Sequence, residues 1–170
     1  MSESALIVLA RAIHVMSGVL WSGGAFVLAI AVVPLFARDG ADAAGRWLGL
    51  VARRAGALIG ASAPLAILSG MYLFATLHPH DDSASGIVLK TGAVAAVLAA
   101  VVGAAFSRTA GRKLLQLHQA SSPQAMSSPD RTRQLAALRM RATVSARAAA
   151  VLLGVTVLAM ATFRYASALT

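Results

Sequence analysis

Ala10–Phe36 reads ARAIHVMSGVLWSGGAFVLAIAVVPLF, and the fold class follows from it. From Ile13 to Phe36 no residue carries a formal charge, and at about 1.5 Å per residue the run is long enough to cross a hydrocarbon core of roughly 30 Å. It predicts a membrane-spanning helix. At about 100° per residue, Arg11, His14, Gly18, Ser22, Ala25 and Ala29 share one face, so a basic pair stands above a groove of small residues. Small residues at this spacing let a neighbouring helix approach closely or leave room for a flat group, and an ionisable residue inside a membrane marks a functional site.

The rest of the chain has the same character. Its 170 residues are 58% hydrophobic and 12% charged, with a mean hydropathy of +0.75, against roughly 25% charged in soluble domains. This is the composition of one integral membrane domain spanning 1–170. The net charge of +9 does not indicate nucleic acid, because the basic residues flank apolar spans and lack interleaved aromatics; positive-inside topology accounts for them. The absence of cysteine excludes disulfides, thiolate-held clusters, thiolate copper sites and cysteine nucleophiles. No Ser/His/Asp arrangement or phosphate loop stands out, so histidine, methionine, carboxylates and bases carry whatever chemistry there is. The start, MSESALIVLA, is weakly acidic and leads into a span too long for a signal peptide. The first helix is therefore expected to stay as an anchor.

Three further apolar runs follow, at about 55–77, 87–106 and 148–163. The second places Gly56, Gly60, Ala63, Ile67, Phe74 and His78 in one sector, with Met71 at its edge and Pro64 inside it. A short loop, His78-Pro79-His80-Asp81-Asp82, leads to the third, which has Lys90 one turn inside its start and Gly92, Ala96, Ala99 and Gly103 as its packing stripe. Residues 107–147 are basic and polar and contain the turn-rich SSPQAMSSP at 121–129. Ser128, Pro129 and Asp130 look like an N-cap, a first-position proline and an acid in the first turn, so a helix is expected to start there and run into the fourth span. Arg147 and Arg164 can snorkel at the ends of that short run.

The predicted architecture is all-α, a four-transmembrane-helix up-and-down bundle. The first connection holds Arg38, Arg46, Arg53 and Arg54 and the third holds eight more basic residues, whereas the second has none before Lys90. The positive-inside rule then puts both termini on the non-cytoplasmic side of an inner membrane. Arg11, His14, the HPHDD loop, Lys90 and Arg164, with Met16, Met71 and Met160, all fall in the outer half. They are expected at one level.

Two chemistries suit that level. A haem b needs an imidazole on iron, a gap beside the ring and cations for its propionates; His14 above Gly18 and Ser22, with Arg11, Lys90 or Arg164, supplies these. Its second axial position would be open or taken by Met71, Met160 or His78. A copper site would draw soft ligands from His14, Met71, His78, His80 and Met160; Met16 lies about 200° round the helix from His14 and cannot share its ion. The plainer reading is that a lone histidine bonds a neighbouring helix, that methionines fill space, and that the cations reach for headgroups. His14 is favoured as functional because it shares a face with Arg11 and the small stripe, while Lys90 points away from Gly92 and Gly103.

Ile13-His14, Trp21-Ser22-Gly23-Gly24 and Pro34, in that order, resemble the first helix of the copper-resistance D (CopD) domain family. Ser69, Gly70 and Tyr72 are similar to the exit of that family's second helix, Leu89-Lys90 to the start of its third, and LRMRATVSARAAAVLLGVTVLA, from Leu138, to its arginine-approached last helix. Nearly the whole chain is covered, by short motifs. The resemblance implies an inner-membrane protein handling a metal at the outer face, in copper homeostasis or transport. His14 and Lys90 also resemble the first-helix His and third-helix Lys of HemJ-type protoporphyrinogen oxidases, four-helix membrane proteins that hold haem; after Trp21 this chain departs from them, with Gly23, Gly24 and small aliphatics in place of an aromatic, arginine-bearing continuation. That likeness implies a haem-binding redox protein. A third class, a structural subunit with a homodimer or another membrane subunit as partner, follows from the packing stripes and from the basic cytoplasmic helix, which can bind a partner or anionic lipid.

The orientation is directly testable, since the chain has no native cysteine. Single cysteines at Ser83 and Ser122 should be labelled by an impermeant thiol reagent only at 83 in intact cells. Labelling at 122 and not at 83 would invert the topology.

Overall fold

The computed structural model describes residues 2–32, 43–79, 81–107 and 129–168. Helix α1, Glu3–Val27, starts well before the uncharged run because its start is set by a cap: the Ser2 hydroxyl accepts the Ala5 N–H at 3.4 Å and Glu3 lies in the first turn, where negative charge complements the free N–H groups. It continues into a π-helical turn, Leu28–Val32. Helix α2 is Ala43–Leu77, with Pro64 on an exposed side. Helix α3, Ala84–Val102, is capped by Ser83, whose hydroxyl accepts the Gly86 N–H at 3.2 Å, and it too ends in a π turn, Gly103–Ser107. Helix α4 is Pro129–Thr162, followed by a 3-10 segment, Phe163–Ala168. Its start agrees with the proline-and-acid signal read at Ser128–Asp130.

Among the described residues there is no strand, and four helices are long and apolar enough to cross a membrane: Glu3–Val32, Arg54–Leu77, Ala84–Ala105 and Ala136–Ala166. The second and third match the expected runs closely. The fourth extends beyond 148–163 on both sides, because the alanine-rich, arginine-bearing turns before Ala148 continue the helix without a break. Residues 33–42, with Pro34, Phe36 and Arg38, residue His80, and residues 108–128, which include most of SSPQAMSSP, lie outside the described residues. Only 17% to 28% of the most apolar window of each helix is buried inside the molecule, and Val8, Val19, Ile30, Leu58, Leu68, Val94, Val151 and Leu158 face outward. Side chains of this kind all round a bundle fit a lipid solvent and not water.

The helices pair as two antiparallel hairpins. Helix α1 lies along α2, with His14 against Ala66 and Gly70 and, further on, Gly24 against Ile59. Helix α3 lies along α4, with Gly92 against Thr156 and Ala159. Contact between α1 and α4 is thinner, and that between α2 and α3 is thinner still. Trp21, Ala66, Ala99 and Leu153, one from each helix, form the shared core. On α1 the predicted face holds, with Ser22 and Ala29 buried and Ser17 and Trp21 completing it. On α2 the buried line runs instead through Ser62 and Ala66, and Gly56 is exposed. On α3 the stripe at Gly92 and Ala99 is buried as expected, together with Gly86, Leu89 and Ala95.

Hydroxyls within this core are satisfied locally. Ser17 donates to Ile13, Ser22 to Gly18, Ser62 to Ile59 and Ser145 to Ala142, each onto a carbonyl of its own helix. Thr156 also crosses to the Gly92 carbonyl at 3.1 Å. In lipid, where no water completes a missing bond, such pairing is required of every polar group.

A Cβ at Gly92 would stand 2.8 Å from the Ala159 Cβ, so Gly92→Leu is expected to push α3 off α4 and cost about 1–3 kcal/mol, the usual penalty of overpacking. Gly56→Leu, where a Cβ meets nothing within 4 Å, is the control and should stay within about 0.5 kcal/mol. Reversible unfolding in mixed micelles measures both, and equal losses would refute the close crossing.

Candidate functional site

His14 is half-buried on the face of α1 that meets α2, and its ring lies directly on the backbone of that helix. Its Nδ1 is 2.8 Å from the Ala66 carbonyl oxygen, with the Ser69 hydroxyl at 3.5 Å. A carbonyl can only accept, so Nδ1 carries the hydrogen and the lone pair of the neutral ring is on Nε2. Gly70 makes the approach possible: a Cβ there would lie 2.8 Å from Cε1 and 3.0 Å from Nδ1 of the imidazole. Any other residue at 70 would displace the ring. One turn along α1, a Cβ added at Gly18 meets nothing within 4 Å, so space is open on the same face beside the imidazole.

The other polar groups gather elsewhere. His78, at the end of α2, stacks on Phe74 with ring centroids 6.3 Å apart and meets the edge of Phe163 at 5.9 Å, joining α2 to the end of α4. The Asp81 carboxylate accepts the Ser83 N–H at 3.0 Å. The hydrogen bond from the Ser83 hydroxyl and that from its N–H hold the Asp81 carboxyl below its ordinary value, with the charges of His78 and Lys90 adding and burial opposing. Lys90 reaches out of α3 to Asp82 at 2.6 Å. The loop presses on Gly86, where a Cβ would collide with the Asp81 carbonyl group. This is a closed ionic and aromatic clasp over the α2–α3 connection.

The structure therefore separates what the sequence put on one level. The seat of His14 at Ala66–Gly70 is two helical turns, about 12 Å, from His78 along α2, because the capped start at Glu3 carries α1 well past the point where its uncharged run begins. Arg11 and Arg164 are exposed and make no hydrogen bond or ion pair with a described residue. Met71 is 64% exposed, as is Met16. Met160 is half-buried beside Gly92 in the α3–α4 contact. His80 lies outside the described residues. Among the described residues no three His, Cys, Asp or Glu side chains converge as a metal-binding group. Ala66 as the acceptor for His14 was not foreseen. Its signal was the Ala66–Gly70 pair, two small residues four apart at the depth on α2 that an antiparallel α1 brings opposite His14.

No protein-family model, no curated protein and no solved structure matches this chain.

Because the Asp81 pKa is lowered on folding, its contribution is present above the unfolded value of 3.8 and is lost as the pH falls through the lower folded value. Asp81→Asn should therefore lower the thermal midpoint at neutral pH by a small amount, and the gap to wild type should close as the pH drops below 3.8. A gap independent of pH would refute the clasp.

Proposed function

We propose that this chain is a multi-pass membrane protein that holds a haem-type metal centre through the Nε2 of His14. The observation that carries the reading is the 2.8 Å bond from Nδ1 to the Ala66 carbonyl. A histidine that ligates a metal through one nitrogen characteristically donates the other to a carbonyl or carboxylate, which fixes the tautomer and the direction of the lone pair. Here the backbone of α2 plays that part, and Gly70 gives the ring its seat.

Haem is favoured over a bare copper ion by ligand arithmetic. A porphyrin brings four nitrogens to its iron and asks one imidazole of the protein, whereas copper needs two to four protein donors together. His14 stands alone at its depth: Met71 faces outward and His78 is held between two phenylalanine rings two turns away. The open space at Gly18 would take the edge of a flat group. Arg11, one turn from His14 and about 4.5 Å along the axis, is a cation placed to meet a propionate and without a partner among the described residues, whereas Lys90 is engaged by Asp82. When bound, the haem supplies the redox chemistry; the chain positions it and shields it from water. Placement in an inner membrane with both termini outward follows from the basic residues at the opposite end of the bundle and from the CopD resemblance.

The experiment is spectroscopic. Protein purified in mild detergent should show a Soret band, and His14→Ala should lose it with helix content unchanged. Gly70→Val, which leaves the imidazole present but occupies its seat, should shift or weaken the band. The double variant of His78 and His80 to Ala should retain it. Colourless wild-type protein carrying stoichiometric copper that the loop double variant loses would move the site to the HPHDD loop and to copper handling.

A further inference from the structure

At the end of the bundle away from the clasp, a shallow groove runs between α1 and α4, lined by Phe26, Ala29, Ile30, Arg147, Ala150 and Val151. It lies where the hairpins meet and where α1 passes into its π turn. Ala29 and Ala150 form a buried floor at 4% and 5% exposure, and Ile30 and Val151 form open walls at 72% and 66%. Phe26, whose ring reaches the α4 backbone at Gly154, closes the end nearer the core. Arg147 stands at the other end, exposed and without a hydrogen bond or ion pair to any described residue.

Depth gives the groove its meaning. The antiparallel matching of His14 with Ala66 and Gly24 with Ile59 brings Ile30 level with about Arg54, where the apolar segment of α2 stops. The matching of Gly92 with Thr156 likewise brings Arg147 level with about Val101, near the end of α3. Arg147 thus sits near the level of Arg54, the charged residue at the start of the second apolar run, at the border between hydrocarbon and headgroups, and Arg54, Arg133 and Arg141 are exposed at or beyond it. A guanidinium at this border offers a planar fork that matches a phosphate, and basic pockets between spanning helices are the common form of an anionic-lipid site.

We infer that this groove binds one anionic phospholipid, with the headgroup phosphate on Arg147 and an acyl chain along Ala29, Ile30 and Val151. The site is at the opposite end of the bundle from His14 and is independent of the haem reading. A zwitterionic lipid offers the same chain but less net attraction, and free phosphate offers the charge without the chain, so only an anionic lipid uses both halves of the groove.

The test uses the full chain in neutral detergent, with binding of phosphatidylglycerol, phosphatidylcholine and inorganic phosphate followed by native mass spectrometry and thermal midpoint. Wild type should bind one phosphatidylglycerol in preference to phosphatidylcholine. Arg147→Ala should weaken that binding about fivefold, equivalent to about 1 kcal/mol. Arg147→Lys should weaken it less, and Arg141→Ala, further along α4, should leave it unchanged. Ile30→Trp, which fills the groove from an exposed wall without touching the charge, should also reduce binding. Circular dichroism confirms that each variant is folded. The inference fails if wild type shows no lipid preference, if Arg147→Ala binds as wild type does, if Arg141→Ala loses as much, or if inorganic phosphate stabilises the protein as well as the lipid does.

Discussion

The arrangement of this chain depends on how closely one helix backbone can come to another. In an apolar solvent there is no hydrophobic force to press helices together, so van der Waals contact and interhelical hydrogen bonds hold them, and both need small residues at the crossing. Gly92 against Ala159, with Thr156 reaching the Gly92 carbonyl, is that contact for one hairpin. Gly70 under the His14 ring is its counterpart in the other. The shared core is correspondingly plain: two alanines, one leucine and one tryptophan, with serines that bond back to their own helices.

His14 is costly in such a setting unless its polar atoms are occupied. Its bond to Ala66 satisfies one nitrogen and ties α1 to α2, and in doing so it fixes which nitrogen remains basic. One interaction thus contributes to the hairpin and leaves a lone pair at a defined place. That coupling explains why the residue opposite has to be glycine: the ring can reach the carbonyl of residue 66 only if residue 70 has no side chain.

The two ends of the bundle are built on opposite principles. At the α2–α3 connection, Asp81, Asp82, Ser83, Lys90 and His78 satisfy one another, so charge is spent on holding a tight turn. At the other end Arg54, Arg133, Arg141 and Arg147 have no such partners among the described residues, and α1 and α3 both change to a π turn where they pack on α4. A π turn widens the helix and is often found beside functional sites. The groove under Arg147 is formed at one of the two.

The class of molecule is legible in the residues: four apolar runs, their limits within a few residues for the second and third, the start of α4 at Pro129, and the small-residue face of α1. Those follow from local quantities, namely hydropathy over a window, helical periodicity and cap chemistry, which need no knowledge of partners. His14 also stands out, because an ionisable group inside a span is visible in one dimension. What the residues alone could not fix was depth. Arg11, His14 and the HPHDD loop each lie near the same end of a span in sequence, but the capped start at Glu3 and the antiparallel match with Ala66 and Gly70 set His14 two turns below His78. The engagement of Lys90 by Asp82, the outward turn of Met71 and the shift of the α2 face to Ser62 and Ala66 were also decided only by the tertiary structure. Each depends on the rotation and relative slide of two helices, and a chain rich in alanine and glycine permits many registers until the few close contacts, at Gly70 and Gly92, select one.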